Sequence, residues 1–453
     1  MMWRFFSLIY MSEDKLTGYR GQLRAALEKV GAEIGDKLEV VVNNQQYSGS
    51  LMPRVETFDD WHIIIKMVSG YNVGLAYSEE MKINKVGTAP KPEFKQPPLP
   101  QAEEGLPKVS IISTGGTIAS RVDYVTGGVV SAMSSRDLLG IVPELVEIAD
   151  VDADILYSVF SEDIGHKHWE GMAQRAYDKI KAGADGIIFT HGTDTLGYSS
   201  AAMSFALQNL PVPVILIGSQ RSSDRPSSDN ATNLMGGVYT AAHAPFAEVC
   251  IGLHENTSDL SISYLRGTKV RKCHTSTRYA FQPVNDFPLA RYKNGAVEMI
   301  NTVYRPRQDS EPKIMNKFSD KVALVKFHPD IDPRVLEYYI DDGYRGMIIE
   351  ATGLGQVNQT LWPAVERAHK EDVFIGIVSQ CTWGRVNLNV YSHGRELIDR
   401  GAVPMEDMHG ETALVKLKWC FGQTDDTEKV KELMLTNLVG ELNPRTPYLG
   451  RMG

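Results

Sequence analysis

The sequence has few cysteines, no excess of basic residues and no long apolar run. Its 453 residues include four cysteines, and these form no CxxC pair. Neither a disulfide framework nor a zinc site is therefore indicated, and a reducing, cytoplasmic setting is expected. Lys and Arg total 47 against 56 Asp and Glu, which disfavours tight, unaided binding to nucleic acid. No apolar run approaches the ~20 residues that span a bilayer.

The amino-terminal part of the chain is predicted to form a separate small domain. Residues 1–10 are apolar but no cleavage site follows them, so they are not interpreted as a signal peptide. Residues 12–87 are predicted to form a helix and a small antiparallel β-barrel. The helix is expected over residues 14–30. The strands are expected over residues 38–42, 47–51, 61–67 and 71–75.

A proline-rich segment and a change of pattern follow this domain. Residues 88–107 contain six prolines, which is typical of a semi-extended linker. Beyond them, apolar strand candidates alternate with amphipathic helices, which predicts an α/β fold with a doubly wound parallel sheet. The polar stretch 305–320 divides this part into a larger domain, 108–304, and a smaller domain with a C-terminal tail, 321–453.

Three hydroxyl-rich loops follow strand candidates of the larger domain. They cover residues 113–120, 161–163 and 191–195. In an open parallel sheet, ligands bind beyond the carboxyl ends of the strands. We therefore expect these loops to meet at one rim of the sheet.

The turn at Gly115-Gly116 allows three interpretations. A phosphate-binding loop would need a GK[ST] ending or G-x-G-x-x-G spacing, and the sequence has neither. A plain structural turn is the second interpretation, and the turn alone favours it. The third is a tight turn that exposes Thr117 and directs backbone N–H groups at an anionic oxygen.

A base for Thr117 is the next requirement, because a threonine hydroxyl is a weak nucleophile. A lysine serves this role if burial or nearby charge lowers its pKa toward ~7–8. Four cations lie close together in residues 266–274. This run is either a solvated basic loop or a source of such a lysine.

The loops also resemble a known family. Residues 114–119 followed by 191–195 are similar to the two sequence signatures of the bacterial-type L-asparaginase/glutaminase family. Residues 161–163 and 270–275 match the substrate loop and the lysine segment of that family. The resemblance begins near Lys108 and extends to the C-terminus. It implies that the two α/β domains are asparaginase-like.

The resemblance also implies roles for individual residues. Thr117 would be the nucleophile, with Thr193, Asp194 and Lys272 relaying the proton. Glu162 and Asp194 would hold the substrate's α-ammonium, since a carboxylate and an ammonium ~4 Å apart attract each other by up to ~4 kcal/mol at an effective dielectric constant near 20. Tyr124 is either the family's loop tyrosine or an exposed tyrosine. The substrate-binding residues would be Ser161, Glu162, Asp194, Gly116, Gly192 and Tyr124.

The amino-terminal domain and the stretch 254–281 resemble the D subunits of archaeal glutamyl-tRNA(Gln) amidotransferases. This resemblance implies a glutaminase that supplies ammonia to the E subunit of the amidotransferase, where ATP and Mg act, in a heterotetramer of two D and two E chains. It further implies a homodimeric core, contact with tRNA(Gln) through the partner, and no metal or cofactor in this chain.

Two alternatives remain open. They are a free-standing L-asparaginase/glutaminase with an accessory barrel and a non-catalytic scaffold. The preference for glutamine or asparagine also stays open, because one methylene is worth only ~1–3 kcal/mol.

Overall fold

The computed structural model describes residues 14–16, 18–54, 59–67, 71–88, 105–116, 118, 120–122, 129–131, 142–221 and 227–447. These residues form two compact units. The first contains the described residues up to 88 together with 120–122, 129–131, 221 and 227–228. The second contains the remaining described residues, which make up the predicted smaller domain and most of the predicted larger one.

The strands are short and most are followed by a turn or a helix. In chain order they are β1 (Asp36–Val42), β2 (Gln45–Leu51), β3 (His62–Met67), β4 (Asn72–Ala76), β5 (Lys82–Thr88), β6 (Lys108–Gly115), β7 (Ser120–Val122), β8 (Val129–Ser131), β9 (Asp150–Val159), β10 (Gly186–Thr190), β11 (Leu207–Gln208), β12 (Val214–Ile217), β13 (Val249–His254), β14 (Ser261–Arg266), β15 (Val270–Lys272), β16 (Phe281–Pro283), β17 (Ala290–Lys293), β18 (Ala296–Met299), β19 (Lys313–Ile314), β20 (Val322–Lys326), β21 (Gly346–Ala351), β22 (Phe374–Ser379) and β23 (Val403–Pro404).

The helices are concentrated in the second unit. They are α1 (Gly21–Lys29), α2 (His166–Lys181), α3 (Leu196–Ala206), α4 (Asn230–His243), α5 (Arg334–Asp341), α6 (Trp362–Lys370), α7 (Ser392–Asp399), α8 (Gly410–Gln423) and α9 (Thr427–Leu435).

The first helix is shorter than predicted. It begins at Gly21 rather than at residue 14. Gly18 and Gly21 have φ angles of +80° and +59°, which are left-handed conformations that interrupt a right-handed helix. The expectation of a continuous helix over 14–30 was therefore wrong in its first part. Leu23 and Leu27 are fully buried in the core beneath the sheet.

The first unit contains a five-stranded antiparallel sheet in the order β4-β3-β2-β1-β5. The four predicted strands appear within two residues of their expected bounds. Strand β5 was not predicted, because Ile83 is the one residue of this strand that is buried. It pairs with β1 over six residue pairs.

The larger sheet has eight strands in the order β18-β17-β14-β13-β12-β10-β6-β9. The five strands from β13 to β9 are parallel, as the alternating pattern predicted. Strands β14, β17 and β18 extend the sheet in antiparallel fashion. Along β10, Ile187 and Phe189 belong to one core and Ile188 to the other. Both faces of the sheet are therefore covered, as a doubly wound fold requires.

The smaller sheet is parallel and has the order β20-β21-β22-β23. Helix α8 packs between this sheet and the larger domain, where Trp419 stacks on Phe205 of α3 with ring centroids 5.9 Å apart. The indole N–H of Trp419 donates to the Met315 carbonyl at 2.7 Å. The predicted α/β fold class is confirmed: two domains built on parallel strands follow a small β domain.

Candidate active site

Three loops meet at the carboxyl end of the larger sheet. Strand β6 lies between β9 and β10 and runs parallel to both. The residues that follow these strands therefore emerge at the same edge. The carboxyl end of β6 is also tied to that of β10 by a hydrogen bond from Thr114 Oγ1 to the Thr190 carbonyl at 2.9 Å.

Two glycines let these loops approach closely. Gly116 has a φ angle of +81°, and a Cβ atom there would collide with the backbone nitrogen of Gly192. A Cβ atom on Gly192 would in turn lie 2.8 Å from Cβ of Ser161. Both positions therefore require glycine, and the predicted substrate-binding residues Gly116, Gly192 and Ser161 are brought together as expected.

The lysine that the family resemblance identified within the cation-rich run contacts the loop after β10. Lys272 Nζ donates to Thr193 Oγ1 and to an oxygen of Asp194, both at 2.8 Å. Thr193 is buried, whereas the Asp194 side chain is 71% exposed. Lys272 is held because β15 pairs with β16, with Lys272 opposite Phe281. The structure thus gathers three of the four predicted catalytic side chains.

The run of cations is not a solvated loop. Three of its members besides Lys272 are bound to carboxylates: Arg266 to Glu248 at 2.7 Å, Lys269 to Asp407 at 2.7 Å, and Arg271 to Glu411 at 3.0 Å.

Glu411, the partner of Arg271, also accepts a hydrogen bond from His409. Burial acts to raise the pKa of Glu411, but the hydrogen bond from His409 and the charge of Arg271 bring it to about 2. The run is therefore a set of neutralised ion pairs, and mutual repulsion between its cations is largely offset.

The loop after β9 is a single turn of 3₁₀ helix over Ser161–Asp163. Thr195 Oγ1 donates to the Ser161 carbonyl at 2.6 Å, which joins this loop to the one after β10. Ser161 is buried and Glu162 is exposed. The exposed carboxylates of Glu162 and Asp194 therefore belong to two loops that are bonded to each other. Thr117 and Tyr124 lie outside the described residues.

Sequence reasoning assigned no role to His191, which the structure places at the centre of a buried chain. His191 is fully buried, and burial lowers its pKa to about 4. Its Nδ1 lies 2.6 Å from the Gly192 carbonyl and its Nε2 lies 2.8 Å from Ser199 Oγ. The indole N–H of Trp169 donates to the same hydroxyl at 3.0 Å. The histidine in the 191–195 motif was visible in the sequence, but its partners lie on two separate helices.

A second polar network holds the residues that follow β13. His254 Nδ1 lies 2.7 Å from Asn233 Oδ1, and its Nε2 lies 2.9 Å from Asp259. Arg278 also donates to Asp259, at 2.6 Å. Asn233 in turn donates to the Gly218 carbonyl at 2.9 Å. This network stabilises the stretch whose pattern resembled the D subunits of amidotransferases.

Two absences hold for the described part of the chain. There, no group of three or more His, Cys, Asp or Glu side chains is arranged to hold a metal ion. None of the helices there combines the length and the apolar character needed to cross a membrane.

Three family models match the chain. They are the GatD N-terminal domain over residues 32–86, the asparaginase N-terminal domain over 108–305, and the glutaminase/asparaginase C-terminal domain over 321–434. Among solved structures, the thermostable L-asparaginase from Thermococcus kodakarensis is similar, with a TM-score of 0.68 and 29% identity. That match covers 75% of this chain and all of the asparaginase.

Full-length relatives carry the comparison further. The D subunit of the glutamyl-tRNA(Gln) amidotransferase of Metallosphaera sedula is 45% identical over 95% of this chain and 97% of its own length. The D subunit of Pyrococcus horikoshii is 44% identical over 93% of this chain and 98% of its own length. Identity of this extent covers the small β domain as well as both asparaginase-like domains. The chain therefore belongs to the family of glutamyl-tRNA(Gln) amidotransferase D subunits.

Proposed function

We propose that this chain is the glutaminase component of a tRNA-dependent amidotransferase. It hydrolyses glutamine, or asparagine, and supplies ammonia for the conversion of Glu-tRNA(Gln) to Gln-tRNA(Gln). The observation that carries this proposal is the extent of the match. The two amidotransferase relatives named above cover 95% and 93% of the chain, whereas the solved asparaginase covers 75%. The region outside the asparaginase match includes the small β domain.

The proposed reaction passes through an acyl-enzyme. The Thr117 hydroxyl attacks the side-chain amide carbon, and its proton passes through the cluster of Thr193, Asp194 and Lys272. The amide nitrogen takes up a proton as the C–N bond breaks, and ammonia leaves. Water then hydrolyses the Thr117 ester and releases glutamate. The hydrogen bonds from Lys272 to Thr193 and Asp194 support this relay.

The substrate's α-amino and α-carboxylate groups would be held by the other two loops. Glu162 and Asp194 supply negative charge for the α-ammonium. The hydroxyl of Ser161 and the backbone beside Gly116 and Gly192 supply polar contacts for the carboxylate. By the family resemblance, Tyr124 would be a further substrate-binding residue.

The proposal includes a partner, the E subunit of the amidotransferase. It would receive the ammonia and use ATP and Mg to activate the γ-carboxylate of tRNA-bound glutamate, so this chain needs no cofactor of its own. Two D and two E chains would assemble around a D homodimer in the cytoplasm, where aminoacylated tRNA is used. The partner would make most contacts with tRNA(Gln), in keeping with a formal net charge of −9 on this chain.

The first experiment is co-expression with candidate E subunits, followed by assays of glutamine hydrolysis with and without Glu-tRNA(Gln). We expect ammonia release to rise when the charged tRNA is added. Thr117→Val should abolish release while Thr117→Ser retains part of it, because serine keeps the hydroxyl. Full activity in Thr117→Val would contradict the proposed nucleophile.

A free-standing L-asparaginase/glutaminase is the second candidate, because the match to the solved asparaginase covers the whole of that enzyme. It predicts full activity without a partner and a preference for asparagine. Absence of hydrolysis under every condition, by a folded complex, would instead favour the non-catalytic scaffold.

A further inference from the structure

A buried chain of three polar side chains leads to the loop that carries Thr193. Trp169 lies on α2, Ser199 lies on the first turn of α3, and His191 follows β10 directly. All three are at least 95% buried. The reaction proposed above makes no use of them as proton donors or acceptors. Polar groups are buried at a cost unless they are hydrogen-bonded, and each of these three side chains has a hydrogen-bond partner.

The direction of the hydrogen bonds follows from the chemistry of each group. An indole nitrogen only donates, so Ser199 Oγ accepts from Trp169 at 3.0 Å. The Ser199 hydroxyl hydrogen is then free to point at His191 Nε2, 2.8 Å away. Nδ1 of His191 faces the Gly192 carbonyl at 2.6 Å, and a carbonyl only accepts. The proton of a neutral His191 therefore resides on Nδ1.

This tautomer fixes the peptide that links Gly192 to Thr193. The carbonyl of Gly192 accepts from the imidazole, and in a planar trans peptide the N–H of Thr193 points the opposite way. Among the described residues, that N–H donates no hydrogen bond to a backbone carbonyl. It belongs to the residue whose hydroxyl Lys272 contacts at 2.8 Å, so it lies at the predicted catalytic cluster. A backbone N–H at such a place can stabilise an oxygen that develops negative charge during acyl transfer.

We propose that Trp169, Ser199 and His191 act as positioning residues that lock the Gly192–Thr193 peptide and so aim the Thr193 N–H at the reacting carbonyl oxygen. The inference rests on the proposed amidohydrolase function. It adds to that function a set of residues that would act through the Gly192–Thr193 peptide. The low pKa of His191 keeps the imidazole neutral at physiological pH, so the lock is held in one state.

Gly218 packs closely against the segment from His191 to Thr193 and limits its movement. A Cβ atom on Gly218 would lie 2.8 Å from Thr193 Cγ2 and 2.9 Å from the His191 carbonyl oxygen. The segment from His191 to Thr193 is therefore packed against the end of β12 on one side while the imidazole fixes it on the other. The Gly192–Thr193 peptide therefore has little room to rotate. The hydrogen bond from the imidazole to the Gly192 carbonyl selects one of the orientations that remain.

The kinetic test compares Ser199→Ala with Ser204→Ala in the full chain bound to its partner. Both residues are buried serines of α3, but Ser204 donates only to the backbone of its own helix at 2.8 Å. We expect Ser199→Ala to lower kcat for glutamine hydrolysis about 10- to 100-fold with KM changed less than about threefold, because the loss falls on the transition state. Ser204→Ala should match the wild type.

The matched tryptophan pair is Trp169→Phe and Trp419→Phe. Each substitution removes one buried indole N–H, but Trp419 donates to the Met315 carbonyl and is not part of the chain. Trp169→Phe should lower kcat and Trp419→Phe should not. Equal kcat values for Ser199→Ala and wild type would overturn the proposal.

A spectroscopic test separates this inference from the proposed function. In ¹⁵N-histidine-labelled protein, assigned with His191→Gln, the His191 ring should carry its proton on Nδ1. In Ser199→Ala the tautomer ratio and the Thr193 amide resonance should shift, and in Ser204→Ala they should not. A wild-type ring protonated on Nε2 would disprove the lock even if the enzyme is active. An inactive wild-type complex with the expected tautomer would refute the function and leave the lock intact.

Discussion

Lys269 and Lys272 are three residues apart, and each bonds an aspartate at nearly the same distance. Lys269 lies 2.7 Å from Asp407, and both side chains are completely buried. Lys272 lies 2.8 Å from Asp194, and that aspartate is 71% exposed. Lys269 also contacts the Asp407 backbone carbonyl, whereas Lys272 also contacts the Thr193 hydroxyl.

The difference between the pairs lies in what surrounds them. The buried pair joins the larger domain to the start of α8, and burial lowers the pKa of Lys269 while Asp407 raises it. A charge enclosed in this way cannot lose its partner without a large cost. The rim pair is partly solvated, so its partners can be exchanged for substrate. One contact type therefore lies within the core in one place and, under the proposed function, would serve chemistry in the other.

The largest effect should come from the rim lysine. Lys272→Met removes the ammonium that contacts Thr193 and Asp194, so we expect kcat for glutamine hydrolysis to fall at least about 10³-fold. The free energy of unfolding should change little, because Asp194 remains hydrated. Ammonia release by the complex and urea denaturation measure the two quantities. A Lys272→Met variant that keeps its activity but loses stability would show that the rim lysine stabilises the fold and does not serve the reaction.

The buried lysine should behave in the opposite way. Lys269→Met leaves Asp407 buried without a counter-charge, which costs about 3–5 kcal/mol of unfolding free energy. The protein that remains folded should keep its KM and kcat, because Lys269 contacts no residue of the rim. Urea denaturation of the full chain and active-site titration of the folded fraction test this. A loss of kcat per folded molecule would show that the pair also shapes the site.

His191 tests whether a buried ionisable group that has no counter-ion also changes the free energy of unfolding. Its pKa is about 4 instead of 6.5, so between those values the unfolded chain binds a proton that the folded chain does not. Its contribution to stability is therefore full above pH 6.5 and is lost as the pH falls toward 4. The limiting loss is ~3 kcal/mol for this shift. Urea denaturation of wild type and His191→Gln from pH 7 to 4 should show the difference, and parallel curves would contradict it.

Much of this arrangement followed from sequence pattern. The parallel strands were predicted because apolar runs such as 186–189 and 214–217 alternate with helices, and the rim followed from the carboxyl ends of those strands. The grouping of Thr193, Asp194 and Lys272 followed from a resemblance to a family rather than from spacing. The roles of Thr117 and Tyr124 stay predictions, since both lie outside the described residues.

Other features depended on long-range contacts that no local pattern encodes. The carboxylate partners of the cation run are distant in sequence, as Asp407 is from Lys269, so the run was also compatible with a solvated loop. The His191 chain draws on α2 and α3, and its tautomer depends on the distant Trp169. Strand β5 was missed because a mostly exposed edge strand has little hydrophobic alternation.

The smallest effect should come from removing both charges of the buried pair. In Lys269→Met with Asp407→Asn neither member of the pair carries a charge, and the asparagine oxygen can still accept from the Asn443 N–H, which lies 3.0 Å from Asp407. The buried NH2 group of the new amide would lack an acceptor, at a cost of about 1–3 kcal/mol. Stability should therefore recover much of what Lys269→Met alone loses. Additive losses in the double variant, measured by the same urea titration, would mean that Lys269 stabilises the domain junction through its aliphatic stem and not through its charge. The contrast between the two lysines would then rest on packing rather than on where each carboxylate meets solvent.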